Sequence, residues 1–421
     1  MTAPGSRAAV IVGASHAGVQ AAQSLRQAGW QEPIRLVSAE SDLPYHRPPL
    51  SKAFLAGERT AEQIVLRGPQ FYAEHGIDLL LDFPVTSVDP AARTVVGPKG
   101  RLDFSALILA TGADARRLAV PGADLAGIHT LRDLADARRL KAGLEAASTV
   151  VVIGGGFIGL EVAATAAKAG KDVTVVEAEG RLLARALPAA LSDFLAERHA
   201  REGVRFLMRT AVVGFEPGAG GGVGAVRLHD GRRLDGDLVV VGIGGVANLA
   251  LAAGLGLAIE AGGILVDADG ATSAPGVYAA GDCASHHGRF ADRAVRIESV
   301  QNATDQARAA AGRVAGRPHP LAAVPWFWTD QYDLKVQMAG LPTAGVREIL
   351  RGDPAAGAFS LIHLAGDRLA AVYSVNRPGD HMAARKLIDQ AARLDPAAAA
   401  DAAVPLLQAA AGDPAPTPTT V

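Results

Sequence analysis

One cysteine in 421 residues, Cys283, excludes an intramolecular disulfide, whether structural or redox-active. A small buried filler is the favoured reading of that residue over a reactive thiol. Charge of either sign is not in excess, since 41 Lys and Arg against 43 Asp and Glu leave a formal net charge of -2. Such a balance offers no basis for gripping nucleic acid or an anionic membrane surface. No apolar run approaches the roughly 20 residues that span a bilayer. The first strand pattern begins within about ten residues of Met1, which leaves no room for a signal peptide. A soluble, cytoplasmic protein without a metal-ligand set is therefore expected. Aromatics are scarce at 5%, so any cluster of them carries weight.

Glycine, by contrast, is plentiful, and two glycine-rich segments dominate the reading. The first is Gly13-Ala14-Ser15-His16-Ala17-Gly18 after the apolar run Ala9 to Val12, and the second is Gly154-Gly155-Gly156-Phe157-Ile158-Gly159 after Val150 to Ile153. In such a dinucleotide fingerprint the first glycine turns the chain, the second lets backbone approach a pyrophosphate, and the third lets helix pack on strand. A lone GxGxxG is weak evidence. Each copy here is followed by a helical stretch, a second apolar strand and an acid at its end: Glu40 after Ile34 to Val37, and Glu177 after Val173 to Val176. That acid is placed to accept from a ribose diol. Glu177 would also repel a 2'-phosphate, so the second site is expected to prefer NAD to NADP. Ser15 stands where the first copy should have its second glycine; its hydroxyl is small enough to fit beside phosphate.

Strand and helix patterns alternate through the first 280 residues or so, which argues for parallel sheets covered on both faces. Each fingerprint unit ends on a further apolar strand with glycine at its carboxyl end: Leu107 to Thr111-Gly112 in the first, and Leu238 to Ile243-Gly244 in the second. This repeat predicts two Rossmann-like dinucleotide-binding domains, one inserted in the other. The expected boundaries are 1–117 with 248–324, then 118–247, then 325–408. The alanine-rich end is punctuated by Pro396 and Pro405, and a disordered tail is expected over 409–421.

Further motifs narrow the class. Thr111-Gly112 and Ala280-Gly281-Asp282 resemble the paired signatures of two-dinucleotide flavoproteins, in which FAD lies across the first domain and the aspartate binds its ribityl and pyrophosphate region. Pro44-Tyr45-His46-Arg47-Pro48-Pro49-Leu50-Ser51-Lys52 resembles the corresponding segment of NADH-dependent ferredoxin reductases of the putidaredoxin reductase and biphenyl dioxygenase reductase type. Leu131-Arg132, Glu298-Ser299-Val300-Gln301-Asn302-Ala303 and Pro325-Trp326-Phe327-Trp328-Thr329-Asp330-Gln331 resemble three more elements of that family, in the same order. The likeness runs from about residue 8 to about residue 390, with departures at Ser15, at Val300 and at Gly245 to Asn248.

The resemblance implies a small α+β C-terminal domain that opens at the Trp326 segment, FAD and NADH as cofactors, and a 2Fe-2S ferredoxin as acceptor, which would supply a haem-thiolate monooxygenase or a ring-hydroxylating dioxygenase. It further implies that Arg47, Arg132, Glu298, Ser299, Val300 and Trp328 contact or approach the flavin. Lys52 would lie beside the flavin ring and pair with Glu161 at the nicotinamide site. A fixed cation there favours the anionic reduced ring. Arg308, Arg385 and Lys386 are the candidates for a basic patch that docks an acidic ferredoxin. Two other classes stay open from the residues alone: an NADH oxidase, and a redox-gated binding protein like apoptosis-inducing factor.

Overall fold

The structure, a computed structural model, describes residues 8–411. Their contacts divide them into two compact units, each discontinuous in sequence. The first unit takes the residues up to His46, Thr60–Asp114 and Gly245–Pro325; the second takes Arg47–Arg59, Ala115–Gly244 and the residues from Trp326 on.

Five parallel strands form the main sheet of the first unit, in the order Val277–Ala279, Ala106–Leu109, Ala9–Val12, Ile34–Val37, Ile77–Leu80. Ala9–Val12 and Ala106–Leu109 are buried along their whole length, which is why they read as unbroken apolar runs. Helices His16–Gln27 and Val300–Val314 cover one face, where Ala17, Ala21 and Leu25 meet Ala303, Ala307 and Ala311. Small side chains let those two helices approach closely. Phe83, Val95, Phe104 and Leu257 help to close the other face.

The second unit repeats the plan with Arg205–Leu207, Asp172–Val176, Thr149–Ile153, Leu238–Val241 and Ile128–His129, again all parallel. In both sheets the fingerprint strand is the middle one. Its carboxyl end therefore opens at the point where strand order reverses, the crevice in which such sheets bind ligands.

A second sheet in this unit is antiparallel: Trp326–Gln331, Leu334–Gly340, Arg368–Val375, Ala358–Ala365 and Arg347–Asp353, covered by helix Pro378–Asp389. The expected fold class, doubly wound parallel sheets with an α+β C-terminal part, is what the chain adopts. The contacts group two stretches differently from the expected boundaries. Regions 118–247 and 325–408 share one core, because Leu191 and Leu195 of helix Ala189–Arg201 pack among Val336, Phe359, Leu361 and Tyr373. Residues 47–59, expected in the first domain, belong to the second unit, where the Thr165 hydroxyl donates to the Ser51 carbonyl at 3.0 Å.

At the C-terminus order extends past the expected start of the tail. Ala409 is buried, Ala410 bridges Leu394, and the Ala411 amide donates to the Arg393 carbonyl at 2.9 Å. The rest of the expected tail lies outside the described residues. Among the described residues, no helix is long and apolar enough to cross a membrane.

Candidate active site

Gly13 and Gly18 show what the first fingerprint demands. Gly13 has φ +108°, and a Cβ there would sit 2.1 Å from the Ala110 carbonyl oxygen. A Cβ on Gly18 would sit 1.8 Å from the Gly13 oxygen. Both contacts are with backbone, so neither can be relieved by a side chain moving. Ala14 packs against the core and Ala17 is buried. Ser15 is the extended N-cap residue of helix His16–Gln27, and its side chain makes no capping bond to that helix.

The second fingerprint has the same shape. A Cβ on Gly154 would lie 2.4 Å from the Gly242 oxygen, and one on Gly159 would lie 2.2 Å from the Gly154 oxygen. At Gly156, the N-cap of helix Phe157–Lys168, a Cβ would meet only the Gly242 oxygen at 3.7 Å. Protein packing alone therefore tolerates a side chain at this position of the loop. That accounts for Ser15 at the equivalent place in the first copy. Both loops keep the two collisions that require glycine and point a helix N-terminus at the crevice, so the residues present fit two dinucleotides.

The two acids are held by chain atoms. Glu177 accepts from the Gly155 amide at 2.6 Å and from the Glu179 amide at 2.7 Å. Glu40 accepts from the Tyr45 hydroxyl, and its own amide donates to Ser38 Oγ at 3.1 Å. Tyr45 is buried and fixes the acid expected to meet the ribose, a role that its place in the sequence does not reveal.

Elsewhere in the first unit, Thr111 and Gly112 are locked to Asn248. The Thr111 hydroxyl donates to the Asn248 carbonyl at 2.9 Å, the Asn248 side chain donates back to the Thr111 carbonyl at 3.1 Å, and the Asn248 amide donates to Gly112 at 2.9 Å. Gly281 has φ +85° and donates its amide to Gln306 Oε1 at 2.8 Å. Gln306, buried on helix Val300–Val314, is a further residue that sequence reasoning missed. Arg296 donates to the Asp282 carbonyl at 3.0 Å and pairs with Glu298 at 2.5 Å. Ser299 serves as the N-cap of its helix, accepting from the Asn302 amide at 3.0 Å, and half-buried Val300 is the first helical residue. Arg308 pairs with Asp305 at 2.5 Å. Cys283 is fully buried, with Sγ 3.4 Å from the carbonyls of Leu109 and Ala280, and burial pushes its thiol pKa up. Filler is the role this geometry allows.

In the second unit Lys52 and Glu161 come together at 2.6 Å. Glu161, in the first turns of the fingerprint helix, is 5% exposed. Both its oxygens are occupied: Ser51 Oγ donates to Oε2 and Thr329 Oγ1 donates to Oε1, each at 2.5 Å. A buried carboxylate persists when paired and fully hydrogen-bonded, and this one has a cation and two hydroxyls. Arg47 donates to the Arg132 carbonyl at 2.7 Å, and the Arg132 amide donates to Asp136 at 2.9 Å. Phe157 packs on Phe327 at 4.8 Å between ring centres, while Ile158 is exposed at the helix N-terminus. Ile243 packs at the edge of the core, and Gly244, at φ +104°, accepts from the Arg116 amide at 2.9 Å. Trp328 lies 5.5 Å from Trp326, over which the exposed Arg385 guanidinium sits at 5.1 Å. Lys386 is exposed beside it.

Two parallel-sheet units, each with a nucleotide-ready fingerprint, and a Lys–Glu pair with a buried carboxylate beside one of them define a pyridine-nucleotide oxidoreductase. Residues 7–307 match the model of the pyridine nucleotide-disulphide oxidoreductase family, and residues 326–410 match the reductase C-terminal family. A ferredoxin–NAD(P)+ reductase of Sphingomonas sp is 44% identical over 92% of this chain and 94% of its own length. Putidaredoxin reductase of Pseudomonas putida is 42% identical over 94% and 95%. The crystal structure of the covalent putidaredoxin reductase–putidaredoxin complex superposes with TM-score 0.91, at 42% identity over 96% of this chain and 97% of that one. The chain belongs to the pyridine nucleotide-disulphide oxidoreductase family, and within it to the branch that holds these ferredoxin reductases.

Proposed function

We propose that this chain is an FAD-dependent NADH:ferredoxin oxidoreductase that works in the cytoplasm and feeds a 2Fe-2S ferredoxin serving a haem-thiolate monooxygenase or a ring-hydroxylating dioxygenase. The observation that carries the reading is the pairing of half-buried Lys52 with buried Glu161 at the second fingerprint, in a chain whose one cysteine is sealed in the core. Without a cysteine pair, electrons have no internal thiol acceptor, and an external carrier protein is the acceptor that this reading assigns.

FAD, when bound, accepts a hydride from NADH and passes electrons on one at a time. The chain supplies position and charge for that chemistry. Gly13 to Gly18, Glu40, Thr111-Gly112 and Gly281-Asp282 form the cradle for FAD, with Arg47, Arg132, Glu298 to Val300 and Trp328 as further contacts. Gly154 to Gly159, Glu177 and Ile243-Gly244 take NADH. Glu161 holds the Lys52 ammonium in one place, which is what electrostatic stabilisation requires. The functional division follows as an FAD-binding part (1–117 and 248–324), an NAD-binding part (118–247) and a C-terminal part (325–408).

Anaerobic stopped-flow tests this directly. NADH should bleach the flavin rapidly, NADPH should bind at least about tenfold more weakly because Glu177 faces its 2'-phosphate, and a 2Fe-2S ferredoxin should then carry electrons to cytochrome c. Bleaching without ferredoxin dependence would transfer the reading to an oxidase.

For docking we propose Arg385 and Lys386, with Arg308 a weaker contributor because Asp305 offsets its charge. Reversing Arg385 and Lys386 to Glu should slow ferredoxin reduction about tenfold or more at low salt, because steering depends on the charge at the contact. Ferricyanide reduction by the same variant should stay close to wild type. Equal losses with both acceptors would remove these residues from the interface.

A further inference from the structure

The carboxylate of Glu161 is the end of a line of hydrogen bonds that runs well beyond the pair itself. Thr329 Oγ1 lies 2.5 Å from Glu161 Oε1, Gln331 Nε2 lies 3.2 Å from Thr329 Oγ1, Gln331 Oε1 lies 2.8 Å from His199 Nε2, and His199 Nδ1 lies 3.2 Å from the Tyr332 hydroxyl. Thr329, Gln331 and His199 are each no more than 1% exposed. Gln331 and His199 have no part in the chemistry described above, and Thr329 enters it only as a donor to Glu161.

Their donor directions are fixed by elimination. A hydroxyl has one proton. The short contact between Thr329 and a carboxylate oxygen needs that proton, so Thr329 donates to Glu161 and accepts from its other neighbour. Gln331 must then present its NH2 to Thr329 and its carbonyl to His199. That carbonyl requires a proton on His199 Nε2, which leaves Nδ1 as the acceptor for Tyr332. Every link points the same way, toward Glu161. Burial lowers the His199 pKa, which keeps the ring in the neutral state that this pattern uses.

We infer that Gln331 and His199 are positioning residues: they orient the Thr329 hydroxyl onto Glu161 and so hold the Glu161–Lys52 pair in its working geometry. Sequence gave no hint of the link, since His199 and Glu161 sit on different helices and Thr329 and Gln331 on a strand of the C-terminal sheet. The amide of Gln331 makes the line an orienting device and not a proton wire, because an amide does not pass a proton on as a hydroxyl or imidazole does. Tyr332 closes the outer end with its ring under Arg198, whose guanidinium is 4.6 Å from the ring centre, and at φ +58°.

The inference rests on the reading of Lys52 and Glu161 given above, and the test separates the two. Holoenzyme variants are compared for the rate of flavin reduction at saturating NADH. Thr329→Val should be about tenfold slow and Thr329→Ser within about twofold of wild type, the span expected for a hydrogen bond to a charged group. Gln331→Met and His199→Phe should be slowed less than Thr329→Val. The double variant His199→Phe with Thr329→Val should be no slower than Thr329→Val alone, because His199 acts through Thr329. Nitrogen-15 NMR of labelled histidine should find His199 protonated on Nε2, a readout independent of turnover. Multiplying rate effects in the double variant, or an Nδ1-protonated His199, overturns the inference. A Glu161→Gln variant with wild-type flavin reduction instead overturns the underlying reading of the pair.

Discussion

Gly18→Ala should yield a protein that no longer retains flavin. The added Cβ would lie 1.8 Å from the Gly13 oxygen and 3.1 Å from Leu36 Cδ1. Leu36 can rotate, but the Gly13 carbonyl cannot, because its own loop is pinned by the Gly13 amide bonded to Val37 at 2.9 Å. Helix His16–Gln27 must therefore lift off the central strand, carrying its packing against Val300–Val314 with it. Overpacking of this kind costs about 1–3 kcal/mol where atoms can give way and more where they cannot. It also moves the helix N-terminus away from where a pyrophosphate would sit. The measurement is the ratio of visible flavin absorbance to protein after purification, with the unfolding temperature alongside. Gly156→Ala is the matched control. It should fold and keep its flavin, since its nearest contact is at 3.7 Å, and lose affinity for NADH alone. Full flavin and a wild-type unfolding temperature for Gly18→Ala would contradict the close approach of helix and loop.

Asp380→Ala should cost the second unit about 3–5 kcal/mol, the penalty for stranding a buried charge. Arg351 is 1% exposed and spends its whole guanidinium inside the protein. Its Nε lies 3.1 Å from both Asp380 oxygens, Nη1 donates to the carbonyls of Ala399 at 3.3 Å and Asp401 at 2.5 Å, and Nη2 donates to Val404 at 2.6 Å. Ser360 and Arg377 complete the shell around Asp380. Removing the carboxylate leaves the cation with carbonyls only. For a unit of this size the loss corresponds to a fall of roughly 10 °C in unfolding temperature. Because Arg351 ties the strand Arg347–Asp353 to the segment around residues 399–404, limited proteolysis should cut there first. Asp380→Asn, which keeps an acceptor and removes the charge, should fall between. A drop of less than about 2 °C for the alanine variant would show that the fork is not what secures that segment.

What could be read beforehand divides along physical lines. The fingerprints were legible because their glycines answer to local backbone collisions, and the spacing of those collisions is a property of any strand, turn and helix. The buried strands were legible as apolar runs. Lys52 and Glu161 were legible through resemblance, yet their partners were not: Ser51 and Thr329 are ordinary hydroxyls in sequence, 110 and 168 positions from Glu161. Tyr45, Gln306 and the Arg351–Asp380 fork share this character, since each polar group finds its partner only after the core has formed. The start of the expected tail misled for the same reason: Ala409 is buried and the Ala411 amide donates to the Arg393 carbonyl, while Arg351 anchors the stretch just before it.

Both compact units are assembled from pieces separated along the chain, and this sets an order on their birth at the ribosome. The first sheet lacks its edge strand until Val277–Ala279 has been made and can pair with Ala106–Leu109. Until then the Ala106–Leu109 edge is an open template for misplaced pairing. The second unit waits longer, since Arg47–Arg59 finds its neighbours only in later residues and the sheet that bonds Glu161 begins at Trp326. Nascent chains halted before about residue 280 should therefore be held by chaperones or degraded, and the Lys52–Glu161 pair is among the last parts of the molecule to gain its full set of partners.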